Sequence, residues 1–387
     1  MMSDERRRRI LIVDDSAVMR SLLRTVISSD SHLEVAGTAA DGASALAYLS
    51  GERPDLILLD VEMPVMDGLA TLRQMRSRGI RVPVIMCSSL TRRGARVTID
   101  ALASGASDYV AKPTGQVGRE ASIRALAQEL VPKVLALTAS AQPRKTVSGT
   151  PAVVMPFPAG TQAPLQRMAA AYGAVPSLLV IGVSTGGPAA LEVLLPALPA
   201  TFPLPVLIVQ HMPELFTRLM AERLNGRCAL GVHEAEEGEP VRRGMVAIAR
   251  GNWHLELVSP VTSAGAPTMH LHQGPPENHC RPAVDVLFRS AAKTFGNGVL
   301  AVVLTGMGYD GLNGSRIIRQ EGGCVLAQDQ ATSTVWGMPG AVAGAGLADK
   351  IVSLDAMAAE IVKLASRRST SNAELTGNTN LLNKQAV

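Results

Sequence analysis

The 387-residue sequence predicts an α/β protein of two domains, and three observations carry that expectation. Short apolar runs alternate with helix-length stretches in both halves, the pattern of parallel strands covered by helices on both faces. The length exceeds the roughly 250–300 residues at which one hydrophobic core stops growing. Between the halves, residues 131–175 carry Pro143, Pro151, Pro156, Pro158 and Pro164 among alanine and small polar residues, a composition that buries little and reads as a linker.

In the first domain, 1–130, strand candidates fall at 10–13, 35–37, 56–59, 82–87 and 108–110, with helix candidates at 17–27, 42–49, 70–75 and 98–103. The second domain, 176–366, has strand candidates at 178–181, 205–209, 299–304 and 324–327. Between Val232 and Leu271 the strands shorten and turns multiply, which suggests a hairpin insertion or an antiparallel edge. Residues 367–387 hold few core formers and read as a disordered tail.

Composition excludes several classes. A net charge of +4 with only 3% aromatic residues leaves no basic field and few stacking platforms for nucleic acid. No apolar run approaches the roughly 20 residues of a membrane span, and the arginines at the start precede a strand-length run, not a signal-peptide core. The expectation is a cytoplasmic protein that does not insert into membranes. Cys87, Cys228, Cys280 and Cys324 are far apart with no C-x-x-C, which argues against a disulfide framework and a cysteine zinc site.

Two groups of residues carry chemistry. In the first domain, Asp14 and Asp15 follow the first strand, Asp60 ends the third, Ser88 follows the fourth, and Lys112 follows the fifth. In an open parallel sheet these carboxyl ends converge on one crevice. Clustered carboxylates repel unless a hard cation joins them, and Mg²⁺ binds through one or two carboxylates while touching phosphate. Asp60 is then the natural phosphoryl acceptor, Lys112 supplies the opposing charge, and Ser88 can donate to a phosphoryl oxygen.

In the second domain, Gly182-Val183-Ser184-Thr185-Gly186 fits G-x-S-x-G, a sharp strand-to-helix turn that lifts the serine oxygen above the sheet edge. Pro188 suits the first turn of the following helix, with Ala190, Leu191, Leu194 and Leu198 on its buried stripe. A phosphate loop would need Gly-Lys-Ser/Thr and a dinucleotide loop the full G-x-G-x-x-G, and neither is present. His211 ends the next strand and Asp310 lies in a glycine-rich loop after a later one, so nucleophile, base and orienting acid can meet at one edge. Their chain order, Ser, His, Asp, differs from that of the α/β-hydrolases. Amides near Thr185 and in Gly306-Met307-Gly308 can face the oxygen that turns negative when Ser184 attacks a carbonyl.

With "LIVDDS", "DLILLDVEMPVMDG", "PVIMCSS" and "DYVAKP", the first domain resembles two-component receiver domains. The resemblance implies a flavodoxin-like fold, a doubly wound five-stranded parallel sheet. It also implies Asp60 as the phosphorylated residue, with Mg²⁺ near Asp14, Asp15, Asp60 and a backbone carbonyl near Glu62. Ser88, Lys112 and Tyr109 become the switching residues. With "IGVSTGGP", "VQHMP", "NHCRPAVDVLF", "LTGMGYDG" and "WGMPGA", the second domain resembles the catalytic domain of chemotaxis protein-glutamate methylesterases. That likeness implies an α/β catalytic domain with a mainly parallel sheet and an antiparallel hairpin. It places the nucleophile at Ser184, the base at His211 and the acid at Asp310. It implies an oxyanion-side amide at Met307 with Thr185 beside the nucleophile, and Arg281 and Pro282 bordering the substrate cleft.

The implied activity is phosphorylation-controlled demethylation of glutamate methyl esters on the cytoplasmic region of membrane chemoreceptors, together with deamidation of glutamines. A histidine kinase would donate the phosphoryl group, and the receiver domain would cover the active site until phosphorylated. No cofactor is expected for ester hydrolysis. His270, His272, His279 and Cys280 raise the thought of zinc, but the triad accounts for activity without it. Asp285 reads as a brace for its helix, and Tyr309 stands where a small or polar residue is expected. A non-hydrolytic signalling adaptor, or a hydrolase of another ester, are the rival readings.

Overall fold

A computed structural model describes residues 6–89, 91–113, 118–140, 175–259 and 265–366. The first sheet contains β1 (Arg8–Val13), β2 (Leu33–Ala39), β3 (Leu56–Asp60), β4 (Val84–Ser88) and β5 (Asp108–Ala111) in the order β2-β1-β3-β4-β5. Every pairing is parallel. All five residues of β3 and of β4 are buried, as expected of strands covered on both faces.

Its helices start where short polar side chains can satisfy the first free amides. Ser16 accepts from Met19 N ahead of α1 (Ala17–Ile27), Asp41 from Ser44 N ahead of α2 (Gly42–Gly51), and Asp67 from Ala70 N ahead of α3 (Gly68–Ser77). Thr91 does the same from Gly94 N ahead of α4 (Arg92–Ala103). The fifth helix, α5 (Arg119–Ser140), runs through the position where the sequence placed the end of the domain and the start of the linker. It carries Pro132 in its interior, and its buried Leu126, Leu130, Val134 and Leu137 fix it against the sheet. The prolines at 143–164 and the tail from 367 lie outside the described residues.

The second sheet has seven strands in the order β14-β13-β12-β6-β7-β9-β8. They are β6 (Leu178–Val183), β7 (Val206–Gln210), β8 (Gly231–Glu234), β9 (Met245–Ile248), β12 (Val299–Val303), β13 (Cys324–Gln328) and β14 (Lys350–Val352). All the pairings are parallel. The short strands expected as a hairpin or edge therefore divide: β8 and β9 extend the parallel sheet, while β10 (His254–Val258) and β11 (Thr268–His272) form a separate antiparallel pair.

From β6 the chain moves outward through β7 to β9 and β8, then returns to place β12 on the other side of β6. That reversal makes β6 the switch point, where open α/β sheets form their ligand crevice. The helices here are α6 (Gly187–Leu194), α7 (Glu214–Asn225), α8 (Val284–Phe295), α9 (Leu312–Gln320), α10 (Met338–Gly344) and α11 (Leu354–Ala365).

The two domains pack against each other through α4 and α7. Arg223 on α7 pairs with Asp100 on α4 and with Glu192 on α6, and Arg96 lies 3.4 Å from Glu222. Tyr109 stacks on Phe216 with ring centroids 4.6 Å apart and planes 17° from parallel.

Candidate functional site

The first crevice gathers the residues expected of it. Asp14 and Asp60 are buried, Asp15 is exposed, and one carboxylate oxygen from each lies within 4.8 Å of the others. The Lys112 ammonium bridges them, 2.8 Å from Asp14 Oδ2 and 2.7 Å from Asp60 Oδ1. Asp14 Oδ2 is fully buried, and the lysine is its ion pair without being an aligned hydrogen bond. A buried oxygen left with one misaligned partner, in a set of hard oxygen donors, suits a small divalent cation. Burial raises the Asp60 carboxyl above its ordinary range against the pull of Lys112; burial lowers the Lys112 ammonium, but Asp14 and Asp60 outweigh it and raise that group.

Glu62 has an exposed side chain 3.5 Å from Arg93, so its carboxylate stands apart and only its backbone faces Asp60, at 3.4 Å from N to Oδ1. Ser88 is buried, donating to Ser89 O at 3.1 Å and meeting Thr98 Oγ1 at 2.7 Å. Tyr109 is also buried, and burial pushes its hydroxyl well above the ordinary tyrosine range.

The second crevice lies at the carboxyl ends of three neighbouring strands. Ser184 follows β6, His211 follows β7, and Asp310 sits in the loop after β12. The turn at Ser184 needs glycine on two counts. Gly186 has φ of 79°, and a Cβ on Gly306 would come within 2.8 Å of Ser184 Cβ. Ser184 N donates to Thr305 O at 3.0 Å, and Gly187 N donates to Ser184 O at 2.8 Å.

Asp310 is buried, and both of its oxygens are saturated. Oδ1 accepts from Asn278 Nδ2 at 2.9 Å and from Asp285 N and Gly311 N, each at 3.0 Å. Oδ2 accepts from Val284 N at 2.7 Å and meets His211 Nε2 at 2.8 Å. A carboxylate ringed by donors stays ionised, so Nε2 keeps its proton toward Asp310 and Nδ1 is the nitrogen that gives up its proton when the imidazolium becomes neutral.

Burial penalises the His211 cation, but the bond to Asp310 and the nearby Cys280 outweigh it and raise the imidazole to about 10. Burial would raise Asp310; His211 and the amides of Val284 and Asp285 overcome that and hold it below the usual carboxylate range. The Ser184 hydroxyl has no side-chain partner among the described residues. The backbone amides of Thr185 and Met307 likewise donate to no group among them.

These residues open onto a cavity of about 900 Å³. Its wall includes Ser184, His211, Cys280, Arg281, Met307 and Tyr309 from the second domain. Asp108, Tyr109, Glu129 and Lys133 close the other side from the first domain. Thr185 Oγ1 donates to Asp108 Oδ2 at 2.6 Å, a buried bond directly beside Ser184. Lys133 ties the opposite oxygen, 3.3 Å from Asp108 Oδ1, and donates to Tyr109 O at 2.7 Å. Met307 packs with Val335 against the apolar cluster that includes Leu130 and Val134 of α5.

Arg281 lines the cavity and donates to Asn252 Oδ1 and to the carbonyls of Gln273 and Gly274. Asp285, expected to brace its own helix α8, instead ties that helix to α9 and to the preceding loop, accepting from Gly314 N at 2.6 Å and from Asn278 Nδ2 at 3.0 Å. His270 and His272 pair with Glu237 and Glu256, away from this crevice.

Asp108, Lys133, Phe216 and Asn278 were not singled out by the sequence reading. Each acts across long sequence separations, and no spacing marks it. The tyrosine that precedes Lys112 was the nearest signal to the Asp108 contact.

A receiver domain joined to a hydrolytic α/β domain is the class that this fold and these two crevices define. Residues 10–124 match the response regulator receiver domain model, and residues 179–361 match the CheB methylesterase model. A protein-glutamate methylesterase/protein-glutamine glutaminase of Nocardioides sp. is 50% identical over 94% of this chain and 97% of its own. The protein of the same description from Trichodesmium erythraeum is 46% identical over 92% and 98%. The crystal structure of the Thermotoga maritima CheB methylesterase catalytic domain is 40% identical, covering 49% of this chain and 98% of that one at a TM-score of 0.47. The chain belongs to the protein-glutamate methylesterase/protein-glutamine glutaminase family. Among the described residues, no helix is long and apolar enough to cross a membrane.

Proposed function

We propose that this chain is a phosphorylation-activated serine hydrolase that removes methyl groups from glutamate methyl esters of chemoreceptors and deamidates receptor glutamines. The observation that carries the reading is the convergence of Ser184, His211 and Asp310 from three adjacent strand ends on one cavity walled on its far side by the receiver domain.

In this reading the Ser184 oxygen attacks the ester carbonyl and its proton passes to His211 Nδ1, the nitrogen that Asp310 leaves free. The carbonyl oxygen becomes negative and takes hydrogen bonds from the free amides of Thr185 and Met307. The bond from carbonyl carbon to methoxy oxygen breaks, and methanol leaves with the proton from His211. Water then repeats the sequence on the acyl-serine, releasing the glutamate carboxylate and restoring Ser184. With a glutamine substrate the leaving group is ammonia. Arg281 shapes the cleft edge.

Asp60 accepts a phosphoryl group from a histidine kinase, with Lys112 and Ser88 contacting the phosphoryl oxygens. Asp14, Asp15, Asp60 and the Glu62 carbonyl would hold Mg²⁺, which when bound neutralises those oxygens. Added charge of roughly −2 on Asp60 competes for Lys112 and shifts β5. Tyr109 and Asp108 sit on that strand, so the change reaches Phe216 and Thr185 and loosens the cover.

The test is methanol release from methylated receptor. Ser184→Ala should lower the rate by about 10⁴-fold or more while the protein stays folded. Turnover near that of the parent would remove the serine mechanism.

A further inference from the structure

Cys280 has no place in the mechanism above, yet its Sγ lies 3.5 Å from His211 Nδ1, the nitrogen that Asp310 leaves free. His211, Cys280 and Asp310 offer nitrogen, sulfur and oxygen within 4.8 Å of one another. We propose that His211 Nδ1 and Cys280 Sγ form a binding site for a thiophilic divalent cation of the Zn²⁺ class, and that its occupation blocks the imidazole.

Three features support the site. Zinc binds imidazole nitrogen at about 2.0–2.1 Å and thiolate sulfur at about 2.3 Å, and tetrahedral angles then place the two ligand atoms about 3.5 Å apart. The observed separation already has that value, so the pair can grip a cation with little rearrangement. The opposite ring nitrogen is held by Asp310 at 2.8 Å, the carboxylate–histidine arrangement that orients and strengthens an imidazole ligand. That carboxylate is saturated by four other donors, so it stays fixed as the outer partner instead of leaving to bind the cation itself. The adjoining cavity gives space for water or a solute anion at the remaining coordination positions.

On binding, Cys280 Sγ and His211 Nδ1 release their protons to solvent, and the lone pairs left on sulfur and nitrogen become metal bonds. The cation then holds the electron pair that would take the Ser184 proton. The blocking half of the proposal rests on the catalytic role given to His211 above; the binding half rests on geometry alone.

The experiment uses the full chain with excess Mg²⁺ to fill the carboxylate crevice, and Co²⁺ as an optical stand-in for Zn²⁺. The expected result is one near-ultraviolet thiolate-to-cobalt charge-transfer band in the parent, displaced by Zn²⁺, and absent in Cys280→Ser. Zn²⁺ should inhibit hydrolysis by the parent reversibly with chelator, while the ratio of rates with and without Zn²⁺ moves toward one in Cys280→Ser. Absence of the band in the parent, or an equal band in Cys280→Ser, overturns the site. A Cys280-dependent band with hydrolysis indifferent to Zn²⁺ overturns the block. The optical signal does not depend on Ser184, so failure of the hydrolytic reading would show separately, as undiminished turnover in Ser184→Ala.

Discussion

The two crevices are built alike and do different chemistry. Each lies at the carboxyl edge of a parallel sheet, and each brings side chains from successive strand ends to one point. The receiver crevice collects like charges and closes itself, with Lys112 spanning Asp14 and Asp60 from the same domain. The second crevice collects one hydroxyl, one imidazole and one saturated carboxylate, and its far wall is supplied by the other domain. Architecture locates a site, while the charge and hydrogen-bonding of a few residues decide what it does. The difference also suggests how they communicate, because β5 leads into the first crevice at Lys112, just past its end, and walls the second at Asp108 and Tyr109.

The largest effect that separates the crevices is expected at Asp60. Asp60→Asn should abolish phosphate incorporation from a small phosphodonor, read by intact mass, and leave unstimulated methanol release in place. If labelling persists in that variant, or proceeds equally after Mg²⁺ is chelated, the acceptor lies elsewhere.

A smaller effect is expected from the bond that joins the two sites. Asp108→Asn keeps the shape but weakens the contacts to Thr185 and Lys133. Hydrolysis without phosphodonor should rise by about two- to tenfold, since about 1.4 kcal/mol changes a closed-to-open ratio tenfold. A rate unchanged or lowered, with stimulation by phosphodonor intact, would mean that this bond does not hold the cover.

The pH response should be gentler. His211 is raised in the folded chain from 6.5 to about 10, so its contribution to stability is complete below pH 6.5 and is lost as pH rises through about 10. Asp310 is depressed, and its contribution is lost on the acid side, as pH falls through its lowered value. Thermal melts of the parent should therefore lose stability between pH 7 and 10 more steeply than those of His211→Gln. Parallel profiles would show that the imidazolium–carboxylate pair does not stabilise the fold.

Much of this was legible in the sequence because both crevices sit at strand ends. An apolar run that stops at Asp60, at Ser184 or at His211 marks the sheet edge and its chemistry together. The helix expected at 17–27 matches α1, whose start the structure shows capped by Ser16. What was not legible came through tertiary contact. Pro132 and an alanine-, threonine- and serine-rich end made the C-terminal part of α5 look like linker, although packing of Leu130, Val134 and Leu137 holds it helical. The strands β8 and β9 are four residues each, too short for their pattern to distinguish a parallel extension from a hairpin. Asp108 reads as an ordinary strand start until Thr185, 77 residues away in sequence, donates to it.

The central claim is that the receiver domain restrains the hydrolytic crevice and that phosphorylation lifts the restraint. The most direct measurement compares methanol release from methylated receptor by the full chain and by a fragment beginning at Val175, each with and without phosphodonor and Mg²⁺. The fragment retains the seven-stranded sheet with Ser184, His211 and Asp310 but lacks the wall formed by Asp108, Tyr109 and Lys133. The account predicts that the fragment is faster than the unphosphorylated full chain and indifferent to phosphodonor, while the full chain is stimulated toward the fragment's rate. A folded fragment slower than the unphosphorylated full chain would contradict it, and would make the receiver domain an activator or a substrate-recruiting element instead of a cover.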